Sequence, residues 1–220
     1  MSGVLDRLAS AGLAPVPPPL PPPRAGAAEV EARGRALLAA QAIEDPWELA
    51  AALPELLPLR PAIAALLQAV ASADPLDARE AGFLLTGLGP GLTPLGDDLL
   101  TGAAATVAAL GPTAGLPPGV PRRWAAHLTR AAREGRTTAM SAELLELAAH
   151  GFVIPPLHRV LDLSAAGERR WRASLAALER VGSTSGRGYA LAAAASCVLL
   201  ARAGKPARTV GVFPMTPASS

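Results

Sequence analysis

The residues best equipped for chemistry lie in one short stretch, Gly87-Leu-Gly-Pro-Gly-Leu-Thr-Pro-Leu-Gly-Asp97-Asp98. Four glycines and two prolines in twelve residues specify a tight loop. Glycine permits positive φ and lets a ligand approach the backbone closely. A helix that starts at the end of such a loop exposes unpaired N–H groups and the positive end of its dipole. Gly89, Gly91 and Thr93 are therefore candidate ligands for a phosphate or carboxylate. Asp97 and Asp98 admit several readings: one caps the helix, the pair holds Mg²⁺, or the pair accepts hydrogen bonds from an amide or ammonium group. The loop lacks the Gly-Lys-Ser/Thr ending of a P-loop, and no evident strand precedes it as a dinucleotide fingerprint requires.

Two further segments place hydroxyls at helix starts. Arg136-Thr137-Thr138-Ala-Met-Ser141 is one, and Gly182-Ser-Thr184-Ser185-Gly-Arg187-Gly188 is the other. Taken singly, each reads as an ordinary cap; taken together, three such starts allow a shared polar cleft. Arg187 adds a guanidinium able to bind a carboxylate or phosphate bidentately. His127, His150 and His158 are not at metal-ligand spacing, and His127 is expected on an exposed helix face. Cys197 stands alone in the apolar run Tyr189–Ala201, so it reads as a small buried hydrophobe.

The elements that must position these residues are helices. Half the residues are hydrophobic, mainly Ala and Leu, and aromatics make up 3%. Strands favour β-branched and aromatic side chains, so the expected fold is mainly α: one compact helical domain with buried Ala/Leu-rich helices, Gly-rich loops and little or no sheet. Helix starts are expected at Asp45-Pro46-Trp47-Glu48, Pro61 and Asp74-Pro75-Leu76-Asp77. Later helices are expected over Asp97–Leu110, Pro121–Glu134, Thr137–Ala149, Leu157–Leu163, Ala165–Val181 and Tyr189–Ala203. Seven prolines in Pro15–Pro23 favour polyproline II, either as a spacer or as a docking ligand. Residues before them read as a short helix. The organisation expected is thus a flexible proline-rich arm over 1–26, a helical domain over 27–203 and a tail over 204–220 with a strand-like piece at Thr209–Phe213.

The formal net charge is +2, with Lys205 the single lysine. Few aromatics and no dense basic run argue against nucleic acid. The runs Leu99–Leu110 and Tyr189–Ala201 fall short of the ~20 residues of a spanning helix. No secretory signal is evident at the N-terminus, so a cytoplasmic protein is expected.

Three patterns in order, Gly-Leu-Gly-Pro-Gly-Leu-Thr-Pro-x-Gly-Asp-Asp, Thr-Thr-x-x-Ser-x-x-Leu-Leu-x-x-Ala-x-x-Gly (Thr137–Gly151) and Gly-x-Thr-Ser-Gly (Gly182–Gly186), resemble the AllH-like family. That family includes a subunit of the multisubunit oxamate carbamoyltransferase of anaerobic allantoin breakdown. The resemblance covers roughly 78–200. It implies a cytoplasmic transferase subunit of purine nitrogen metabolism that moves a carbamoyl group between oxamate and phosphate, alongside other subunits. Carried onto this chain, it implies a main site of Gly89, Gly91, Thr93, Asp97 and Asp98, supported by Thr137, Thr138, Ser141, Thr184 and Ser185. The chain departs from the family in having Gly188 where an acidic residue is expected, and a short proline-rich stretch where a strand-rich region is expected.

Three readings remain open. In the first, an enzyme subunit holds phosphate on the Gly89 and Gly91 amides, and Asp97 or Asp98 binds Mg²⁺ or orients an amide. With no nucleophile–base pair in evidence, catalysis would rest on positioning and charge stabilisation. In the second, a non-catalytic subunit binds a small anionic metabolite and docks to a catalytic partner. In the third, the turns are purely structural.

Overall fold

The structure is a computed structural model that describes residues 14–15, 26–52, 54–164 and 167–203. Its helices, in chain order, are α1 (Ala27–Ala40), α2 (Arg60–Ser72), α3 (Pro75–Leu85), α4 (Leu95–Leu110), α5 (Val120–Leu128), α6 (Arg130–Arg133), α7 (Ala139–Ala149), α8 (Pro155–Leu161), α9 (Glu168–Glu179) and α10 (Ser185–Ala203). The 3-10 helices Pro46–Ala51 and Pro54–Leu59 join α1 to α2. Among the described residues the sheet is limited to β1 (Ala14–Pro15) paired antiparallel with β2 (Phe152–Val153). The mainly helical expectation holds.

Two helices form the centre. Nearly every residue of α4 and of the stretch Tyr189–Ala201 in α10 is buried. They pack on one another, with α1 against the other side of α10 and α3, α5 and α7 around them. Small residues set the spacing. A Cβ on Gly102 of α4 would sit 2.6 Å from the Tyr189 carbonyl oxygen, and one on Gly34 of α1 would sit 2.8 Å from that of Ala194. The Ala-rich composition is thus the means by which helix backbones approach closely in a dense core. Cys197 is buried at the α1–α10 contact, and burial pushes its thiol up to about 12 although Arg33 pulls it down. It behaves as the small hydrophobe expected.

Helix starts follow the signals in the chain. Asp45 accepts from the Trp47 amide at 3.0 Å, and Asp74 accepts from that of Leu76 at 2.6 Å. The Asp45 start nucleates a 3-10 helix, whose Glu48 amide bonds back to the Asp45 carbonyl. The single helix expected over Pro121–Glu134 is interrupted at Thr129. There the Arg133 side chain donates to the Ala126 carbonyl and to the Thr129 hydroxyl, both at 3.0 Å. That carbonyl is therefore satisfied without a continuous helical ladder. α8 starts earlier than expected, at Pro155, and α10 starts four residues before Tyr189. Pro15, expected to begin a polyproline stretch, pairs with Phe152 in β1. The short N-terminal helix, the remainder of the proline stretch and the strand-like Thr209–Phe213 lie outside the described residues.

Candidate functional site at the start of α4

The three hydroxyl- and glycine-rich segments meet at the N-terminus of α4. Asp97 lies in its first turn and is buried, with both carboxylate oxygens engaged. Oδ1 accepts from the Gly87 amide at 2.8 Å, and Oδ2 accepts from the Thr137 hydroxyl. Asp97 thus clamps the start of the glycine loop to the segment before α7. Gly87 itself has φ +77°, and a Cβ there would sit 2.3 Å from the Arg136 carbonyl oxygen, so only glycine fits this seam. A second tie runs from the Thr138 hydroxyl to the Leu92 carbonyl at 3.5 Å, and a third joins the Thr93 and Ser185 hydroxyls at 2.9 Å.

Asp98 differs. Its side chain is 1% exposed, and Oδ2 has no partner at hydrogen-bond distance. Burial raises its pKa to about 7. The Ser185, Thr93 and Tyr189 hydroxyls restrain that rise, and the Asp97 charge adds to it. Near neutral pH the group therefore exists in both forms and is able to donate or accept a proton. Tyr189 feels the reciprocal effect: burial and the Asp98 charge drive its phenol up. Gly188 forms the wall behind Asp98. A Cβ there would sit 3.0 Å from the Asp98 Cβ and 3.1 Å from the Leu95 Cδ1. An acidic side chain at 188 would press a further carboxylate into this buried spot, which accounts for glycine where the family pattern led us to expect an acid.

Of the donors considered in the sequence, most of those in the first turn of α4 are already taken. The amides of Asp97 and Asp98 bond to the Pro94 carbonyl, and that of Gly96 bonds to the Leu88 carbonyl at 2.8 Å. The amides of Gly89, Gly91, Leu92 and Thr93, by contrast, have no acceptor among the described residues. Gly89 and Gly91 have φ +95° and +115° and are exposed at the crest of the loop. The exposed bare N–H groups are thus those of the loop.

The remaining candidates divide. Thr138 caps α7, accepting from the Ser141 amide at 3.2 Å, and the buried Ser141 hydroxyl has no partner. Thr184 accepts from the Gly188 amide through its backbone carbonyl at 2.9 Å. Arg187 is half-buried and has no hydrogen bond or ion pair among the described residues. It lies between Gly186, which touches α9, and Gly188, which touches Asp98. At 100° per residue this puts Arg187 on the outward arc of α10, away from Tyr189. His127 is half-buried with an unpartnered Nδ1, not on an exposed face. His150 bonds to the Glu146 carbonyl at 2.8 Å. Tyr189 joins the site although its apolar neighbours mark it as core; its place three residues past the Gly-x-Thr-Ser-Gly turn is the signal in the sequence.

The two carboxylates offer little to a Mg²⁺ ion as arranged. Both Asp97 oxygens already accept a hydrogen bond, which leaves Asp98 Oδ2 as the one unpartnered carboxylate oxygen of the pair, and no cluster of three or more His, Cys, Asp or Glu occurs among the described residues.

The family model of oxamate carbamoyltransferase subunit AllH matches residues 85–197. The chain belongs to the AllH family. The match begins at the last residue of α3 and ends within α10, so it takes in all three segments that meet around Asp97 and Asp98. No curated protein and no solved structure matches the chain.

Proposed function

We propose that this AllH-family chain is the subunit of an oxamate carbamoyltransferase-type enzyme that binds a small anionic or phosphorylated ligand at the Gly87–Asp98 loop. The observation that carries the reading is the row of unbonded amides at Gly89, Gly91, Leu92 and Thr93 beside the Thr93–Ser185 hydroxyl pair. Amides in a fixed loop bind an anion without first giving up internal hydrogen bonds. Thr93 and Ser185 supply rotatable hydroxyls, Arg187 supplies long-range positive charge, and Thr137 and Thr138 hold the loop in place. Asp98, poised between its two forms, orients an amide or carbamoyl nitrogen when ionised and tolerates an anion when neutral. Purine nitrogen breakdown and a cytoplasmic location belong to the same proposal; within the described residues, no helix is long and apolar enough to cross a membrane.

A second reading has its own support. Asp98 is buried beneath the loop and 1% exposed, whereas the unbonded amides are on the outside of the loop. A non-catalytic subunit that binds the anion and passes it to a catalytic partner fits these facts. It predicts binding by the isolated chain with turnover only when partner subunits are added.

Calorimetric titration of the full chain with oxamate, carbamoyl phosphate and inorganic phosphate, with and without Mg²⁺, tests the proposal. Wild type is expected to bind at least one of them, and the Thr93→Val/Ser185→Ala chain to bind it about tenfold to a hundredfold more weakly, the value of two lost hydrogen bonds. Equal affinity in the two proteins would remove the hydroxyl pair from the site.

A further inference from the structure

Six of the eight large hydrophobic residues exposed among those described lie on three linked elements, the other two being Trp47 and Leu57. Of the large hydrophobic residues exposed among those described, Leu76, Phe83 and Leu84 lie on α3, Leu88 and Leu92 on the glycine loop, and Met140 in the first turn of α7. Leu92 is 90% exposed. Direct contacts join these elements: the Arg136 guanidinium stacks 3.5 Å over the Phe83 ring, Gly87 abuts the Arg136 backbone, and Thr138 reaches the Leu92 carbonyl. The ties that fix the loop also fix Leu92 pointing into water. A ligand loop alone does not require an exposed leucine at its crest, and exposed apolar residues on linked elements, with aromatic, Met and Arg side chains among them, have the composition of a docking site.

Charge says what covers it. Arg79 lies one turn before Phe83, and neither Arg79 nor Arg136 has a carboxylate within ion-pair distance among the described residues. Both feel Glu134, but that carboxylate is committed to Arg130 at 2.8 Å. Glu80 is exposed on α3 without an ion pair to either guanidinium, and the loop from Gly87 to Gly96 carries no charged side chain. A second copy docked through a two-fold axis would bring the same patch, with its unpaired guanidiniums, against itself. A different chain with acidic residues flanking an apolar recess would neutralise them.

We infer that the face formed by α3, the glycine loop and the start of α7 docks another subunit of the same enzyme, one with an acid-rimmed apolar recess that receives Leu92 and Phe83. The inference rests on the subunit role proposed above.

The test is assembly of the full chain with the companion carbamoyltransferase subunits of the same organism, followed by size-exclusion chromatography and hydrogen exchange. The Leu76→Ser/Phe83→Ser/Met140→Ser chain leaves the loop amides intact. It is expected to lose the complex, with Kd raised at least 100-fold, while remaining folded with a melting temperature only a few degrees lower. The Arg79→Glu/Arg136→Glu chain is expected to weaken it about tenfold, in a salt-dependent way. The Trp47→Ser/Leu57→Ser control is expected to assemble normally, and protection from exchange to fall on 83–92 and 136–141. Unchanged assembly of the triple variant, or equal loss in the control, overturns the inference. So does a wild-type homodimer that the triple variant breaks, because the occupant would then be a second copy. Wild type that binds oxamate or carbamoyl phosphate yet joins no companion also overturns it and leaves the ligand reading standing. Assembly through this face without any anion binding would do the reverse.

Discussion

Asp97 and Asp98 are adjacent in sequence and opposite in circumstance. Asp97 is a strut, with one oxygen on the Gly87 amide and the other on the Thr137 hydroxyl. Asp98 is buried with an oxygen unserved, and its pKa rises from 3.8 to about 7. The folded chain therefore holds the Asp98 proton more tightly than the unfolded chain does. Below about pH 4 both states are protonated and burial of the group carries no ionisation penalty. Between about pH 4 and pH 7 the unfolded chain releases its proton first, so stability falls as pH rises, by up to about 4 kcal/mol in all. Asp98→Asn lacks this slope. Urea unfolding at pH 4.5 and pH 8 is expected to show the variant gaining on wild type by a few kcal/mol across that interval. A constant difference would place the carboxyl in a far better solvated setting. Oxamate, an anion throughout this range, is expected to bind more weakly above pH 7, where ionised Asp98 repels it.

At the scale of elements, glycine contacts decide the architecture. A Cβ on Gly82 of α3 would fall 2.0 Å from the Leu128 carbonyl oxygen of α5, and one on Gly186 of α10 would fall 1.8 Å from that of Leu178 in α9. Both obstacles are backbone and cannot turn aside. Gly82→Ala is expected to cost about 3 kcal/mol or more, because two helices must separate. Gly135→Ala, at φ +80° with nothing within 4 Å, is expected to cost about 1 kcal/mol from backbone strain alone. Thermal melts of the two variants read the difference directly. Helices of this fold were legible in the chain because Asp-Pro starts and Ala/Leu runs are local signals. The 3-10 form of Pro46–Ala51 and the break at Thr129 were not, since each depends on bonds whose geometry is set by packing, such as Arg133 reaching Ala126. β1 was hidden for a similar reason: a two-residue pairing with Phe152–Val153 leaves no periodicity to read.

At the scale of the molecule, the three loops converge because α4, α7 and α10 present their starts to a common end. Sequence located each loop and the residues within it, but not their meeting, which joins positions as far apart as Thr93 and Ser185. Sequence singled out Gly89, Gly91 and Thr93 but could not show that the helix-start amides of Gly96, Asp97 and Asp98 are closed, because that depends on the Leu88 and Pro94 carbonyls already serving them. The outcome is a surface with two properties side by side: bare amides on the loop and exposed leucines on its rim. A subunit that receives a small anion and meets its partner at the same place would let assembly enclose the ligand and strengthen its electrostatic contacts by excluding water.

The most direct measurement is the response of individual backbone amides in ¹⁵N NMR spectra as oxamate or carbamoyl phosphate is added to the full chain. The account predicts saturable downfield proton shifts at Gly89, Gly91, Leu92 and Thr93, with the already bonded amides of Gly96 and Asp97 nearly unmoved. Saturable shifts elsewhere in the chain with those four amides unchanged would contradict it.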